Sequence, residues 1–518
     1  MTLTHTGRRG VAALTVSAMA VLGAVGSAGP SSEAAPVGSA GTDSPAPLVM
    51  PGNAVQESYT PPSKRPNILL ITTDDMAPGD LAFMPHVRRL IGKAGTTFTN
   101  AVAPTPICVP ARASLLTGQY AHNHGAVTIG GQGGGFDAFG DKATLPVWLK
   151  KAGYDTLFVG KYLNSYGQGR RSKTYVPPGW SDWRGSLDPT TYDFSHARLN
   201  INRHVRDIKT YNTTVFADQT AAMLNAPRRR QHPWYLWVNY VAPHFGGPRE
   251  ADDPLRTHPH YTPVVKTTSP APKYRNAFAG TPLPNTPDMF ESHTKDKAKG
   301  SPARNRWDKT GRLLLREAHQ QRLEALQSVD DAVARHLRIL RRTTMLENTI
   351  VAFGSDNGYA VGQHNVDGKL WHYGTIAHVP LVMRGPGIPR DARRNVLVGL
   401  PDLPVSFAAA ARAKPMRRVD GINVLAHLGK NPGRRVLPVE AWPVEGHGHR
   451  LYRGVRVGPW SYARLRGGGE ELYNLADDPF ELSSRLGTRY EDQLTELRKL
   501  TRDLTDCAGS ECLPQFYK

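Results

Sequence analysis

The sequence predicts an α/β fold: a large, mostly parallel sheet sandwiched by helices, followed by a smaller C-terminal α+β subdomain. Three observations predict it. Short runs rich in Val, Ile and Leu alternate with stretches of helical period between residues 67 and 383; four of the strand-like runs stop directly on polar residues; and beyond about Pro415 the pattern changes to strands separated by turns.

Residues 67–73 are apolar and β-branched, read as a buried strand, and end on Asp74-Asp75. Residues 84–94 have helical period closed by Gly95, and residues 144–152 form a second helix closed by Gly153. A strand over 156–159 leads into Gly160-Lys161, and one over 234–241 into Ala242-Pro243-His244. After the long helix 312–340, a strand over 349–354 meets Ser355-Asp356-Asn357-Gly358, and 379–383 is a further strand. In such sheets ligands collect beyond the carboxyl ends of the strands, where these four polar clusters fall. Residues 243–301, rich in Pro, His and Lys and without a period, read as a loop excursion of the kind that forms a substrate surface. Strands over 436–443 and 451–465, a turn at Gly467-Gly468-Gly469 and a helix over 490–504 complete the chain. The expected domains are 65–415, catalytic, and 416–518, the C-terminal subdomain.

Ahead of these lie residues 1–28, with Arg8-Arg9, an Ala- and Val-rich stretch and Gly26-Ser27-Ala28, the layout of a secretory signal; Thr6-Gly7-Arg8-Arg9 also fits a twin-arginine signal. Residues 29–64, rich in Ser, Ala, Gly and Pro, read as a flexible linker. The expected location is therefore secreted or extracytoplasmic, with no stable membrane insertion. Three cysteines among 518 residues exclude a disulfide-built scaffold; Cys507 and Cys512 are spaced for a small disulfide loop, which leaves Cys108 unpaired. The net charge of +20 suits a polyanionic partner. Without zinc-finger spacing, an RNA-binding signature or a basic helix, nucleic acid is not the expected one.

If their strands are neighbours, Asp74, Asp75, Asp356 and Asn357 bring several carboxylate oxygens and an amide oxygen together, a donor set for Ca²⁺ or Mg²⁺. Cys108 opens the segment Cys108-Val109-Pro110-Ala111-Arg112, with Pro110 placed to start a helix and Gly118 to end it. Position 108 then lies at a helix N-terminus with Arg112 one turn away, a setting that favours an anion. One reading is a low-pKa nucleophilic thiolate. Yet soft sulfur is mismatched to hard oxygen ligands, and an oxygen-bearing side chain fits better.

Cys108-Val109-Pro110-Ala111-Arg112, followed by Thr117-Gly118, resembles the signature of the formylglycine-dependent type I sulfatases of the alkaline phosphatase-like superfamily. The resemblance extends to Asp74-Asp75, Gly160-Lys161-Tyr162-Leu163-Asn164, Ala242-Pro243-His244, Ser355-Asp356-Asn357-Gly358, Gly362-Gln363-His364 and Gly368-Lys369. Residues 120–124, 160–164 and 177–180 are most similar to the N-acetylglucosamine-6-sulfatase branch. It implies that Cys108 is oxidised to formylglycine by a formylglycine-generating enzyme, and that Asp74, Asp75, residue 108, Asp356 and Asn357 ligate Ca²⁺. It further implies that Arg112 stabilises the hydrated aldehyde, Lys161 and Lys369 neutralise the sulfate, and His244 protonates the departing sugar oxygen, with Asn164 and His364 facing the substrate. The implied reaction is hydrolysis of a sulfate ester, the 6-O-sulfate of N-acetylglucosamine in sulfated glycans. An arylsulfatase or a phosphonate or phosphate monoester hydrolase on the same scaffold, and a non-catalytic polyanion-binding protein, are the competing readings.

One departure stands out. Many sulfatases carry a histidine two or three residues after the lysine matched by Lys161, assigned to sulfate expulsion; here Leu163 and Asn164 occupy those places, and an amide is no base at neutral pH. His122, His124, His364, His372 or Asp356 are the candidates to replace it. By composition His122 and His124 read as solvated turn residues, Arg228-Arg229-Arg230 as a solvated helix end, and Trp234 and Trp237 as core.

Overall fold

The computed structural model describes residues 64–514, apart from 132–133, 170, 262–263, 429–434 and 447. The signal segment and, up to residue 63, the linker expected from the sequence lie outside the described residues. Ten strands form the main sheet: β1 (Asn67–Asp74), β2 (Thr96–Phe98), β3 (Asp155–Gly160), β4 (Asp182–Ser186), β5 (Arg198–Ile201), β6 (His204–Asp207), β7 (Trp234–Pro243), β8 (Thr349–Ser355), β9 (Leu381–Arg384) and β10 (Ala392–Arg394). Their order is β10-β2-β9-β8-β1-β7-β3-β4-β5-β6. The centre, β8-β1-β7-β3-β4, is parallel throughout; β9 runs antiparallel to β8 and β2, and β5 and β6 add an antiparallel edge.

Both faces of the sheet are covered, which is why its central strands are apolar without alternation. Ile68 and Leu70 of β1 belong to one core with Val109, Leu115, Trp148 and Trp237; Leu69 and Ile71 belong to the other with Leu236, Val238, Val329 and Val333. The helix Lys309–Arg342 covers that second face, its N-terminus capped by Asp308, whose Oδ1 accepts from the Gly311 N–H at 2.7 Å. Cys108–Thr117 and Leu145–Lys151 cover the first.

Register decides where the chemistry emerges. Thr73 of β1 lies opposite Ser355 of β8, Asp74 opposite Pro243 of β7, and Gly160 of β3 opposite Asn239 of β7. The four polar clusters therefore surface together at one carboxyl edge. Pro243 ends β7, and beyond it the described residues up to 301 hold only short 3₁₀ turns and isolated bridges at Gly247 and Met289.

The C-terminal subdomain is a four-stranded antiparallel sheet, β11 (Val436–Ala441), β12 (Tyr452–Val457), β13 (Trp460–Leu465) and β14 (Glu470–Asn474), with the helix Glu491–Asp503 against it. The single strand expected over 451–465 is a hairpin, because Gly458, with φ +53°, and Pro459 turn the chain between β12 and β13. Cys507 and Cys512 form the expected disulfide. The helix expected over 84–94 is one α turn, Pro85–Val87, continued by a π turn, Arg88–Gly92. The helix Asn212–Asn225, whose end the Arg228-Arg229-Arg230 run marks, and the helix Asp402–Ala410, without a clear sequence signal, complete the layers.

Candidate active site

Cys108 is the first residue of the helix Cys108–Thr117, and Gly118 closes that helix in the left-handed region at φ +71°. The helix is buried along its whole length, so Cys108 and Arg112 face into the molecule beneath the carboxyl edge of the sheet. Cys108 Sγ lies 3.4 Å from Asp74 Oδ1 and accepts from Lys369 Nζ at 2.8 Å. Lys369 Nζ also pairs with Asp75 Oδ1, and Lys161 Nζ with Asp74 Oδ2. One oxygen from each of Asp74 and Asp75, Cys108 Sγ and a nitrogen of His244 lie within 4.8 Å of one another.

Arg112 is wholly buried. Its Nε donates to Asp356 Oδ2 at 2.7 Å, its Nη2 lies 3.8 Å from Asp74 Oδ2, and its Nη1 donates to the Lys161 carbonyl at 3.0 Å and to Asn239 Oδ1 at 3.2 Å. One guanidinium thus ties the carboxyl ends of β1, β3 and β8 to the middle of β7. Asp356 Oδ1 accepts from the Asp75 and Asn357 amides, and Asn357 Nδ2 donates to Asp75 Oδ1 at 2.7 Å. His244 Nδ1 faces the Phe245 carbonyl at 2.7 Å. A carbonyl only accepts, so the proton sits on Nδ1 and Nε2 is the nitrogen turned to the cluster, 3.5 Å from Asp75 Oδ2.

Burial pushes Asp74 up, but Lys161, His244 and Arg112 more than offset it and hold this carboxyl well below the usual range. Asp75 is likewise lowered, burial being outweighed chiefly by Lys369. Asp356 is pushed up to about 6 by burial and by the Asp74 charge. Burial and Asp74 push the Cys108 thiol up to about 12, and burial pulls His244 down to about 4. The low-pKa thiolate is therefore corrected: the helix N-terminus and Arg112 are present, but desolvation and the neighbouring carboxylates keep the sulfur protonated.

The donor chemistry fits a hard divalent cation. Asp74, Asp75, Asp356 and Asn357 are all wholly buried, and Asp75 Oδ2 and Asn357 Oδ1 have no hydrogen-bond partner among the described residues. Oxygens of this kind are costly to bury unless something binds them.

Asn164 lies at the edge of this cluster, its Nδ2 donating to the Tyr192 hydroxyl at 2.7 Å, while Leu163 is in the core. His364 is buried against the Tyr373 ring, with Nδ1 3.1 Å from Glu291 Oε2. His122 is held 2.7 Å from Glu440, His124 is buried against the Pro110 carbonyl, and His372 lies 3.3 Å from Glu471. The solvated-turn reading of His122 and His124 is thereby corrected: side-chain and backbone acceptors engage both. Of the run Arg228-Arg229-Arg230, the first and last are exposed after a helix end as expected, whereas Arg229 is buried; Arg228 and Arg229 both bind Asp155 at 2.6 Å. Trp234 and Trp237 are core.

Three residues escaped the sequence reading. Asn239 supplies an acceptor to Arg112, and Tyr192 stands beside Lys161 and His244. Arg322 of the long helix donates to the backbone carbonyls of Asp75 and, at 3.2 Å, Pro243. It sits on the face of Leu315, Ala318, Ala325 and Val329, and a lone arginine on an apolar helix face was its available signal.

The sulfatase family profile matches residues 66–413. An arylsulfatase of Volvox carteri is 27% identical over 503 residues, covering 87% of this chain and 76% of its own. An N-acetylglucosamine-6-sulfatase of Capra hircus is 30% identical over 381 residues, covering 71% of this chain; the chain spans 64% of that relative's length. A protein solved in complex with its substrate D-glucosamine-2-N,6-O-disulfate superposes with a TM-score of 0.69 at 20% identity, covering 85% of this chain and 98% of its own.

Proposed function

The chain belongs to the sulfatase family, and from that premise we propose that it is a sulfuric ester hydrolase acting on the 6-O-sulfate of N-acetylglucosamine in sulfated glycans. The observation that carries the reaction is the placing of two ammonium groups around residue 108, Lys369 donating to Cys108 Sγ and pairing with Asp75 while Lys161 pairs with Asp74, inside a carboxylate and amide cluster. Support for the amino-sugar substrate comes from the 30% identity to the Capra hircus enzyme and from the motif stretches 160–164 and 177–180.

In this reading Asp74, Asp75, Asp356, Asn357 and residue 108 would hold Ca²⁺, with Mg²⁺ the alternative, and the ion would supply Lewis-acid polarisation of a sulfate oxygen. Oxidation of Cys108 by a formylglycine-generating enzyme would supply the hydrated aldehyde as oxygen nucleophile. The chain's own residues do the rest. Lys161 and Lys369 hold the sulfate by charge, and being fixed before substrate arrives they need little reorganisation as charge develops. Arg112 keeps Asp356 and Asp74 apart from bulk water and in place. With Nδ1–H committed to Phe245, His244 gives the leaving oxygen a proton at Nε2 from its imidazolium form, which the negative charge of a bound sulfate ester and of Asp74 and Asp75 favours against burial. Among the candidates for the expulsion base, Asp356 hydrogen-bonds within the cluster, whereas His122, His124, His364 and His372 engage partners elsewhere.

The test uses protein coexpressed with a formylglycine-generating enzyme and compares sulfate release from N-acetylglucosamine 6-sulfate, its 3-O-sulfated isomer, 4-nitrocatechol sulfate and a matched phosphate ester. Preference for the 6-sulfate is expected. Turnover of the aryl sulfate alone would move the substrate to the arylsulfatase class, and faster phosphate release would move the reaction.

A further inference from the structure

We propose that Tyr192 is a positioning residue of this site, its ring setting the His244 imidazole and the Lys161 ammonium relative to each other while Asn164 anchors its hydroxyl. The inference rests on the reading of His244 as proton donor and Lys161 as sulfate contact.

The Tyr192 ring centroid lies 4.6 Å from that of His244, with 33° between the planes, and Lys161 Nζ stands 4.9 Å from the same centroid. On the chain side, the His244 ring also meets Phe245 at 4.0 Å. One hydrogen bond, Nδ1 to the Phe245 carbonyl, fixes a nitrogen but leaves the ring free to tilt about it; aromatic neighbours limit the tilt. For Lys161 the ring's negative face is a partner beside Asp74, one that attracts the ammonium without competing for its charge as a carboxylate does.

The backbone makes this arrangement a unit. The Tyr192 carbonyl accepts from the Gly247 N–H at 2.9 Å, and the Gly247 carbonyl accepts from the Phe194 N–H at 2.7 Å. A Cβ on Gly246 would meet the Tyr192 carbonyl oxygen at 2.3 Å, so only glycine allows this approach. The loop carrying His244 and the turn carrying Tyr192 are thus stitched together. Asn164, standing in the stretch where many sulfatases have a histidine, donates to the Tyr192 hydroxyl at 2.7 Å and thereby fixes the free end of the phenol. An amide that cannot titrate here orients a ring that contacts two groups which bear on the reaction.

The experiment compares wild-type, Tyr192→Phe and Tyr192→Leu proteins, all coexpressed with a formylglycine-generating enzyme, on aryl sulfates whose phenols range from strongly acidic to about as basic as tyrosine. Acidic phenols leave without proton donation, and basic ones need it. The expected result is a loss in Tyr192→Leu that grows along the series to about 10²-fold for the most basic leaving group, with Tyr192→Phe keeping most of the rate. A uniform loss across the series, or none, overturns the inference. Crystal structures of the unmodified variants give a second reading that needs no turnover: His244 and Lys161 should shift in Tyr192→Leu and stay in Tyr192→Phe, and unmoved side chains in the Leu variant overturn the inference as well. Wild-type protein that carries formylglycine yet releases no sulfate from any substrate contradicts the proposed function instead, so the two failures are told apart.

Discussion

Replacing Arg112 by Met removes a guanidinium that faces both Asp356 and Asp74, at 2.7 and 3.8 Å, among residues with no exposed surface. Taking one partner from a buried ion pair costs about 3–5 kcal/mol, because the remaining charge stays desolvated and unpaired. Loss of donors to the Lys161 carbonyl and Asn239 Oδ1 acts in the same direction. We therefore expect a stability loss of about 4 kcal/mol, which at a guanidinium m value of about 5 kcal/mol/M is a midpoint lowered by about 0.8 M. The measurement is denaturation followed by tryptophan fluorescence, in a chelator and again in calcium. A divalent cation among Asp74, Asp75 and Asp356 supplies the missing positive charge, so calcium should narrow the gap between variant and wild type. A variant as stable as wild type in chelator would refute the assignment of Arg112 as the counter-charge. A gap unchanged by calcium would refute the placement of the cation against these carboxylates.

Further outcomes follow from the same geometry. Lys369→Met removes the ammonium group that donates to residue 108 and should lower kcat/KM about 10²–10³-fold, read by sulfate release. Glu471 is pushed up by burial but pulled down more strongly by His372, the Tyr473 hydroxyl and the Ala298 amide, to about 2. Its folded value lies below the ordinary 4.5, so its contribution of about 3 kcal/mol is present above pH 4.5 and lost as pH falls toward 2. Glu471→Gln should flatten the acid limb of a stability-versus-pH curve, and an unchanged limb would count against it. Gly160 has φ +101°, and a Cβ there would meet the Asn239 carbonyl oxygen at 2.0 Å. Gly160→Ala should therefore push β3 from β7 beside Lys161, lowering both thermal stability and sulfate release; wild-type values for both would contradict the register argument.

The sequence carried the fold where physics is local. The run 67–73 and the long helix near 312–340 were legible because burial on both faces, or on one stripe, leaves a periodic trace. Asp74, Asp75, Asp356 and Asn357 could be brought together because each pair ends a strand, and neighbouring parallel strands deliver their ends to one edge. His244, Lys161 and Lys369 needed family resemblance, since nothing in spacing alone says which loops converge. The 451–465 region misled because its β propensity is continuous and only Gly458-Pro459 interrupts it. Arg322 and Tyr192 were illegible for a different reason: their partners, the Asp75 carbonyl and the His244 ring, lie far away in the chain. The thiol illustrates the limit of local rules, because helix position argues for a thiolate and three-dimensional burial argues more strongly against it.

Whether position 108 acts as formylglycine in a sulfatase is tested by mass spectrometry of the peptide containing it, from protein made in a host with the oxidising machinery, paired with sulfate release. An aldehyde or its hydrate at position 108 is expected, with sulfate release that rises with the oxidised fraction. Sulfate release from protein whose Cys108 is wholly a thiol, or a fully oxidised protein that releases none, would contradict it.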